Sequence, residues 1–532
     1  MLVLTTTERP KFPRAVGLDR AEDSRQRCFR TDRQPGDTLL IIVRHSGFHL
    51  AGSTSMPAFH PRPRSGAIFL VALALFACQR PASPDRGFGR SVLIQGVPHV
   101  RQKPDFCGEA AVEMFLRFRG KSITQDQVFD LSGMDPARGK GVTTQELATA
   151  LQRLGLRAGK VWYHVAPATA EVELTALWRE LVHDLEAEIP SIVCMNTSAN
   201  TDSTEHFRLV LGYDADRDEV IYHEPAEADG AYRRMARSRF FKLWPLKYGG
   251  SEWQVIRLRL DGSRIADVPS RQGLTPAHFV QHVMNLRRGL PRTFTVLVEP
   301  PFVVLGNGEP QEVRRHARET VGWTVGQLRQ DFFSRDPRRI LDIWLLKDDS
   351  SYRQVAVRLT GEEANTPYGF YSPEHDVLVM NIDTGGGTLV HEIVHPFMAA
   401  NCPTCPAWFD EGLGSLYERC AERHGHIVGL PNWRLTQLQS AIRAHAVPSF
   451  RSLTSLTGRD FYSGQSSLHY AQARYLLYAL QERGLLIPYY RALTAGLKTD
   501  STGYAALAAV LGEKDMAAFQ RHWEQDMLKL EM

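Results

Sequence analysis

Thr388-Leu389-Val390-His391-Glu392-Ile393-Val394-His395 is the stretch that decides how the C-terminal half folds. The three glycines before it, Gly385 to Gly387, are poor helix material, Thr388 suits a helix cap, and the residues that follow favour helix. On a helix His391 and His395 fall one turn apart on one face, so the two imidazoles can grip a single ion. Glu392 between them is then placed to take a proton from a bound water rather than to bind the ion itself. Pro396 follows at once and removes a helix donor, which predicts a kink there.

Further along, Ala407-Trp408-Phe409-Asp410-Glu411-Gly412-Leu413-Gly414-Ser415-Leu416-Tyr417-Glu418 reads as a second helix. Its early Glu411 can complete a two-histidine, one-glutamate set with one position left open for water. Asp410 reads as a helix-start charge rather than a further ligand. These segments together resemble the gluzincin metallopeptidases, relatives of thermolysin and aminopeptidase N. The resemblance covers roughly residues 290 to 530 and implies a zincin-like domain, a small β-sheet followed mainly by helices. It implies Zn2+ held by His391, His395 and Glu411, with Glu392 as general base, and strand 377–381 as the sheet edge on which an extended peptide adds itself. Tyr462, His469 and Tyr470 are candidates for steadying an oxyanion, with Tyr470 preferred.

Upstream, residues 97 to 120 read VPHVRQKPDFCGEAAVEMFLRFRG. Cys107-Gly108 opens a helix with apolar Ala111, Met114, Phe115 and Phe118, so its thiol sits where the helix dipole favours thiolate. Gln102 precedes it by five residues. Later, Glu205-His206-Phe207 places a histidine at the head of a strand, and Tyr222-His223-Glu224-Pro225 closes the next. This order resembles the papain-like peptidases typified by bacteriocin leader-processing domains. The resemblance, over residues 91 to 260, implies Cys107 as nucleophile, His206 as base, Gln102 as oxyanion donor and Glu224 as the acid orienting His206. Glu109 stands where such domains commonly carry proline and would set a negative charge beside the thiolate.

Between the two motifs the pattern is α+β throughout. Strand-like runs at 189–195, 207–213, 219–222 and 253–258 belong to the first domain; runs at 294–298, 302–305, 343–346 and 377–382 open the second, which is read as helical from Thr388 to the end. A polar stretch from Asp261 to Gly273 marks the boundary. The layout is a papain-like domain at 91–262, a linker at 263–285 and a gluzincin-like domain at 286–532.

Before residue 91 the decisive feature is the segment from Met56, with two arginines, an uncharged apolar run from Ala67 to Ala77, then Cys78. That order is a secretory signal too short to stay in a bilayer as a helix, and Leu75-Phe76-Ala77-Cys78 resembles a lipoprotein processing box in which Cys78 is acylated. Residues 56–77 are thus expected to be a signal peptide and 78–90 a tether. Residues 1–55 are expected to be absent from the mature protein, with Met56 as its start. This places the protein at the cell envelope, held to membrane through lipid.

The remaining cysteines include Cys194, which reads as a small buried thiol, and Cys402, Cys405 and Cys420, for which export favours a disulfide over free thiols, a Cys402–Cys405 redox pair or a structural zinc site with His424. At 532 residues the chain needs two or three domains. Lysine and arginine total 63 against 59 acids and form no stripe, so nucleic acid is not an expected partner. A peptide or protein substrate is. Two other classes stay open: an envelope binding or scaffold protein with one or both centres inactive, and an acyltransferase built on Cys107.

Overall fold

The computed structural model describes residues 90–532 apart from 201, 202, 249–251, 263 and 271. The expected signal, the acylated Cys78 and residues 1–55 lie outside the described residues. No described helix is long and apolar enough to cross a membrane.

Residues 90–260 build a seven-stranded antiparallel sheet in the order β2-β7-β3-β4-β5-β6, with β1 paired to β4. Its strands are β1 (Val92–Leu93), β2 (Trp162–Val165), β3 (Ser191–Asn196), β4 (Glu205–Asp214), β5 (Glu219–His223), β6 (Arg233–Ala236) and β7 (Trp253–Arg259). Helix α1 (Cys107–Phe118) packs against β3 and β4 and is buried from Gly108 to Leu116 without interruption. It therefore buries acids as well as apolar residues: Glu113 accepts from the Gln125 N–H at 2.7 Å and Glu109 from the Val142 N–H at 3.0 Å. A buried carboxylate without such partners would cost several kcal/mol.

The second half opens on a five-stranded mixed sheet, order β11-β12-β10-β9-β8. Its members are β8 (Thr295–Glu299), β9 (Phe302–Gly306), β10 (Leu341–Leu346), β11 (Gly369–Ser372) and β12 (Val377–Asn381); β9, β10 and β12 run parallel, and β8 and β11 pair antiparallel at the two edges. Alternation divides these strands between two cores. Phe302, Val304, Ile343, Leu345, Leu378 and Met380 face the helices that follow, while Val303, Leu305, Trp344, Leu346, Val377 and Val379 face the other way. Strand 377–381, expected at the edge, is an interior strand: β11 covers it and presents the free edge instead.

The stretch expected to be a linker, 263–285, contains most of a buried helix, α2 (Pro276–Arg287). Ala277 and Val280 join the core of the first domain, and Phe279 and Val283 join the outward core of the second sheet. Hydrogen bonds fix it at both sides: the Ala277 N–H donates to Asp130 at 2.9 Å, Arg287 to the Ala137 carbonyl at 2.8 Å, and His282 lies 2.7 Å from Asp342. A Pro at its first turn and Thr275 before it supply the start signal.

The helix carrying the two histidines is α3 (Gly387–Asn401), with Gly386 rather than Thr388 as its cap residue. A side chain on Gly387 would run into the Glu418 carbonyl at 2.2 Å, so glycine lets the helix start pass close to the end of α4 (Ala407–Tyr417). Pro396 does not break α3: it removes the hydrogen bond to the Glu392 carbonyl, yet Ile393, Val394, Phe397 and Met398 are buried around it and hold the helix through to Asn401. Helix α5 (Ser466–Glu482) packs along α4. The all-helical reading after Thr388 needs one amendment, a hairpin pairing Cys420–Arg423 with His426–Gly429. Cys402 and Cys405 are joined as a disulfide between α3 and α4, and Cys420 is free.

Candidate active sites

Helices α3 and α4 bring three ligand-type atoms together. His391 Nε2 lies 3.2 Å and His395 Nε2 3.8 Å from Glu411 Oε2, and the three groups offer atoms all within 4.8 Å of one another. In a tetrahedral site with bonds near 2.1 Å, neighbouring ligand atoms stand roughly 3.4 Å apart. The donor set and its spacing therefore fit a zinc-like ion with one position open. Gly414 makes room for the His391 ring, which a methyl group there would meet at 3.0 to 3.1 Å.

The other ring nitrogens face acids, and one of them is hydrogen-bonded. His395 Nδ1 donates to Asp410 at 2.9 Å, and His391 Nδ1 lies 3.4 Å from Glu418, which is itself gripped by Arg434 at 2.7 and 2.9 Å. Such outer carboxylates fix which nitrogen faces a metal. Asp410 thus serves the first-turn charge expected of it and also orients a candidate ligand. Glu418 and Arg434 escaped sequence reading, although Glu418 ends the very segment that supplies Glu411.

Burial would lower the His395 pKa, but Asp410 and Glu411 outweigh it and raise it to about 9. Burial would raise Glu411, but the His391 hydrogen bond and the two imidazoles hold it down to about 2. Four carboxylates around two imidazoles make a field that favours a cation. Glu392 is raised above the ordinary carboxylate range, chiefly by burial. Its Oε2 accepts from the Tyr371 N–H at 3.1 Å and lies 3.9 Å from His395 Nε2.

Of the oxyanion candidates, His469 is occupied: Nδ1 is 3.0 Å from the Phe461 carbonyl and the side chain is buried. The Tyr462 hydroxyl donates to Glu411 Oε1 at 2.6 Å. The Tyr470 ring lies 6.4 Å from the His391 ring and beneath the Arg434 guanidinium. Both tyrosines belong to the cluster.

In the first domain, Cys107 opens α1 as expected and lines one cavity with Phe207, the residue after His206. His206 Nε2 is hydrogen-bonded to Glu224, whose other oxygen accepts from Arg208 Nε at 2.7 Å. The grip of Arg208 on Glu224 was not foreseen from the sequence. The Gln102 backbone N–H donates to the Pro225 carbonyl at 2.9 Å, which ties the segment before α1 to the Glu224 turn, and its side-chain oxygen is buried without a partner. A cavity of about 400 Å3 opens at Cys107, walled by Trp162, Phe207, Ile256 and Cys194.

Burial pushes the Cys107 thiol up to about 12, against the pull of the Phe207 and Gly108 N–H groups. Burial likewise raises Glu109 to about 8. The negative charge expected beside the thiolate is therefore mostly neutral near pH 7, and Glu109 acts as a brace for the Val142 loop.

Residues 94–251 match the model of the Peptidase_C39 like family. A solved structure described as a C39-like peptidase from Bacillus anthracis is 16% identical, covering 32% of this chain and 98% of that chain, with a TM-score of 0.22. No curated protein matches the chain. The family match supports the α+β, papain-like cysteine-peptidase reading of the N-terminal region, and with it a hydrolase chemistry there.

Proposed function

We propose that the protein is an exported peptidase with two centres: a gluzincin-like, zinc-dependent one at His391, His395, Glu411 and Glu392, and a papain-like thiol centre at Cys107, His206, Glu224 and Gln102. The observation carrying the first is the convergence of His391 Nε2 and His395 Nε2 on one oxygen of Glu411 with Glu392 alongside. Zn2+ held there supplies Lewis acidity to a water and to a peptide carbonyl. The chain does the rest. Glu392, raised by burial, takes the water proton and passes it to the leaving amine. The free edge of β11 aligns an extended peptide by backbone pairing. Tyr470 offers a hydroxyl donor where the carbonyl oxygen gains charge, while the Tyr462 hydroxyl is held by Glu411.

In the thiol centre, His206 takes the Cys107 proton, Glu224 keeps the imidazole oriented, and Gln102 donates to the oxyanion. An acylated Cys78 would hold both centres at a membrane surface without a spanning helix. A second reading of the N-terminal domain, one that grips peptides without cleaving them, is favoured by the buried thiol at about 12.

The test is metal content and peptide hydrolysis of the full chain beside Glu392→Gln and Cys107→Ala. Stoichiometric zinc in all three, with hydrolysis reduced by about 100-fold or more in Glu392→Gln, is expected. Absence of zinc, or full activity in Glu392→Gln, would overturn the metal centre; loss confined to Cys107→Ala would move the activity to the thiol.

A further inference from the structure

Beside the Glu392 site lies a second cavity of about 400 Å3 that none of the catalytic groups line. Its floor is Pro396, Ala399 and Ala400 of α3, so it begins one residue past His395. Its wall is Tyr371 on the free edge strand, and its rim is the loop 335–339 with Arg335, Arg338 and Arg339.

Tyr371 joins the two places. Its backbone N–H is on Glu392 at 3.1 Å, while Tyr371 also lines the cavity together with Arg339 and Asp376. The arginine rim thus begins one tyrosine side chain from the base, a span of about two residues of extended peptide. A chain added to the β11 edge over Glu392 would run out under this rim.

The charges there do not cancel. Arg339 is paired with Asp376 at 2.9 Å, and Asp336 is already taken by Arg329 at 2.8 Å. Arg335 donates to the Asn401 carbonyl at 3.1 Å, which holds its guanidinium by a neutral group. Arg338 is exposed and has no ion partner among the described residues. Small apolar residues below and two guanidiniums without carboxylates above suit a peptide backbone carrying a carboxylate, which a guanidinium binds in bidentate fashion.

We infer that this cavity is a substrate subsite that selects a carboxylate, above all an acidic side chain about two residues from the scissile bond, with Arg338 as its principal contact. The inference rests on the peptidase reading of the Glu392 site and names its substrate class.

Binding and turnover test it separately. Fluorescent octapeptides with amidated ends, carrying Glu, Lys or Ala two residues from the central bond, are titrated against the full chain bearing Glu392→Gln, with and without Arg338→Glu. The Glu peptide is expected to bind roughly five- to tenfold more tightly than the Lys peptide. Arg338→Glu should abolish or reverse that ratio and leave the Ala peptide unchanged. Equal affinities, a ratio indifferent to Arg338→Glu, or no binding of any peptide would overturn the subsite. An Ala peptide with a free C-terminus that binds like the Glu peptide would assign the subsite to a terminal carboxylate and overturn the side-chain assignment. Turnover of the same peptides by the unsubstituted chain keeps the two claims apart: charge-selective binding without cleavage supports the subsite and sinks the peptidase reading, and cleavage blind to charge does the opposite.

Discussion

Asp410 and His395 are joined by a 2.9 Å hydrogen bond at Nδ1, which turns Nε2 of the imidazole toward Glu411 and the space it shares with His391. Asp410→Asn keeps the shape but removes the charge that fixes the tautomer. Zinc affinity, measured by competition with a chromophoric chelator, should fall by about 10- to 100-fold. Unchanged affinity would reduce Asp410 to a helix-start charge.

Gly414 faces the His391 ring so closely that a methyl group would have to displace it by a few tenths of an ångström. Gly414→Ala, normally mildly stabilising in a helix by up to about 1 kcal/mol, should here leave the protein folded and weaken zinc binding. Circular dichroism and chelator competition on one sample check both halves.

Glu109 gives a pH signature. Its pKa rises on folding from 4.5 to about 8, so the folded chain holds a proton that the unfolded chain has released. The contribution to stability is fully present below pH 4.5 and is lost as pH rises through 8. Urea unfolding of the unsubstituted chain against Glu109→Gln should show the difference moving in favour of the glutamine variant from pH 5 to 8. A flat difference would mean that Glu109 is already ionised in the folded protein.

The Cys107 thiol, pushed up to about 12 by burial, should react slowly with iodoacetamide at pH 7. Its labelling, followed by mass spectrometry of the peptide carrying it, should keep climbing past pH 9. A plateau near pH 6 would reveal a thiolate paired with His206 and favour an active cysteine peptidase over a peptide-holding domain.

The sequence made the ligand-type residues legible because helical spacing is short-range: His391 and His395 are fixed relative to one another by a single turn, and Glu411 opens the next helix but one loop away. The strands were equally readable wherever apolar residues ran together, as in β3, β9, β10 and β12. What escaped depends on contacts between distant segments. β11 is a short Gly-Phe-Tyr-Ser run with no pattern of its own, so strand 377–381 looked like the edge. Arg434 and Arg208 are ordinary arginines until the fold lays them on Glu418 and Glu224. The helix α2 hid in a stretch read for its flanking glycines and serines, because its burial is supplied by two different sheets.

That double burial has a practical consequence. Helix α2 is common property, so cutting the chain at residue 285 to isolate the half with the candidate metal site would take Phe279 and Val283 away and bare the apolar back of the second sheet to water. A fragment meant to carry the C-terminal centre alone must begin before Thr275, and it would then expose Ala277 and Val280 in turn. Either half used alone would need a redesigned face on the helix they share.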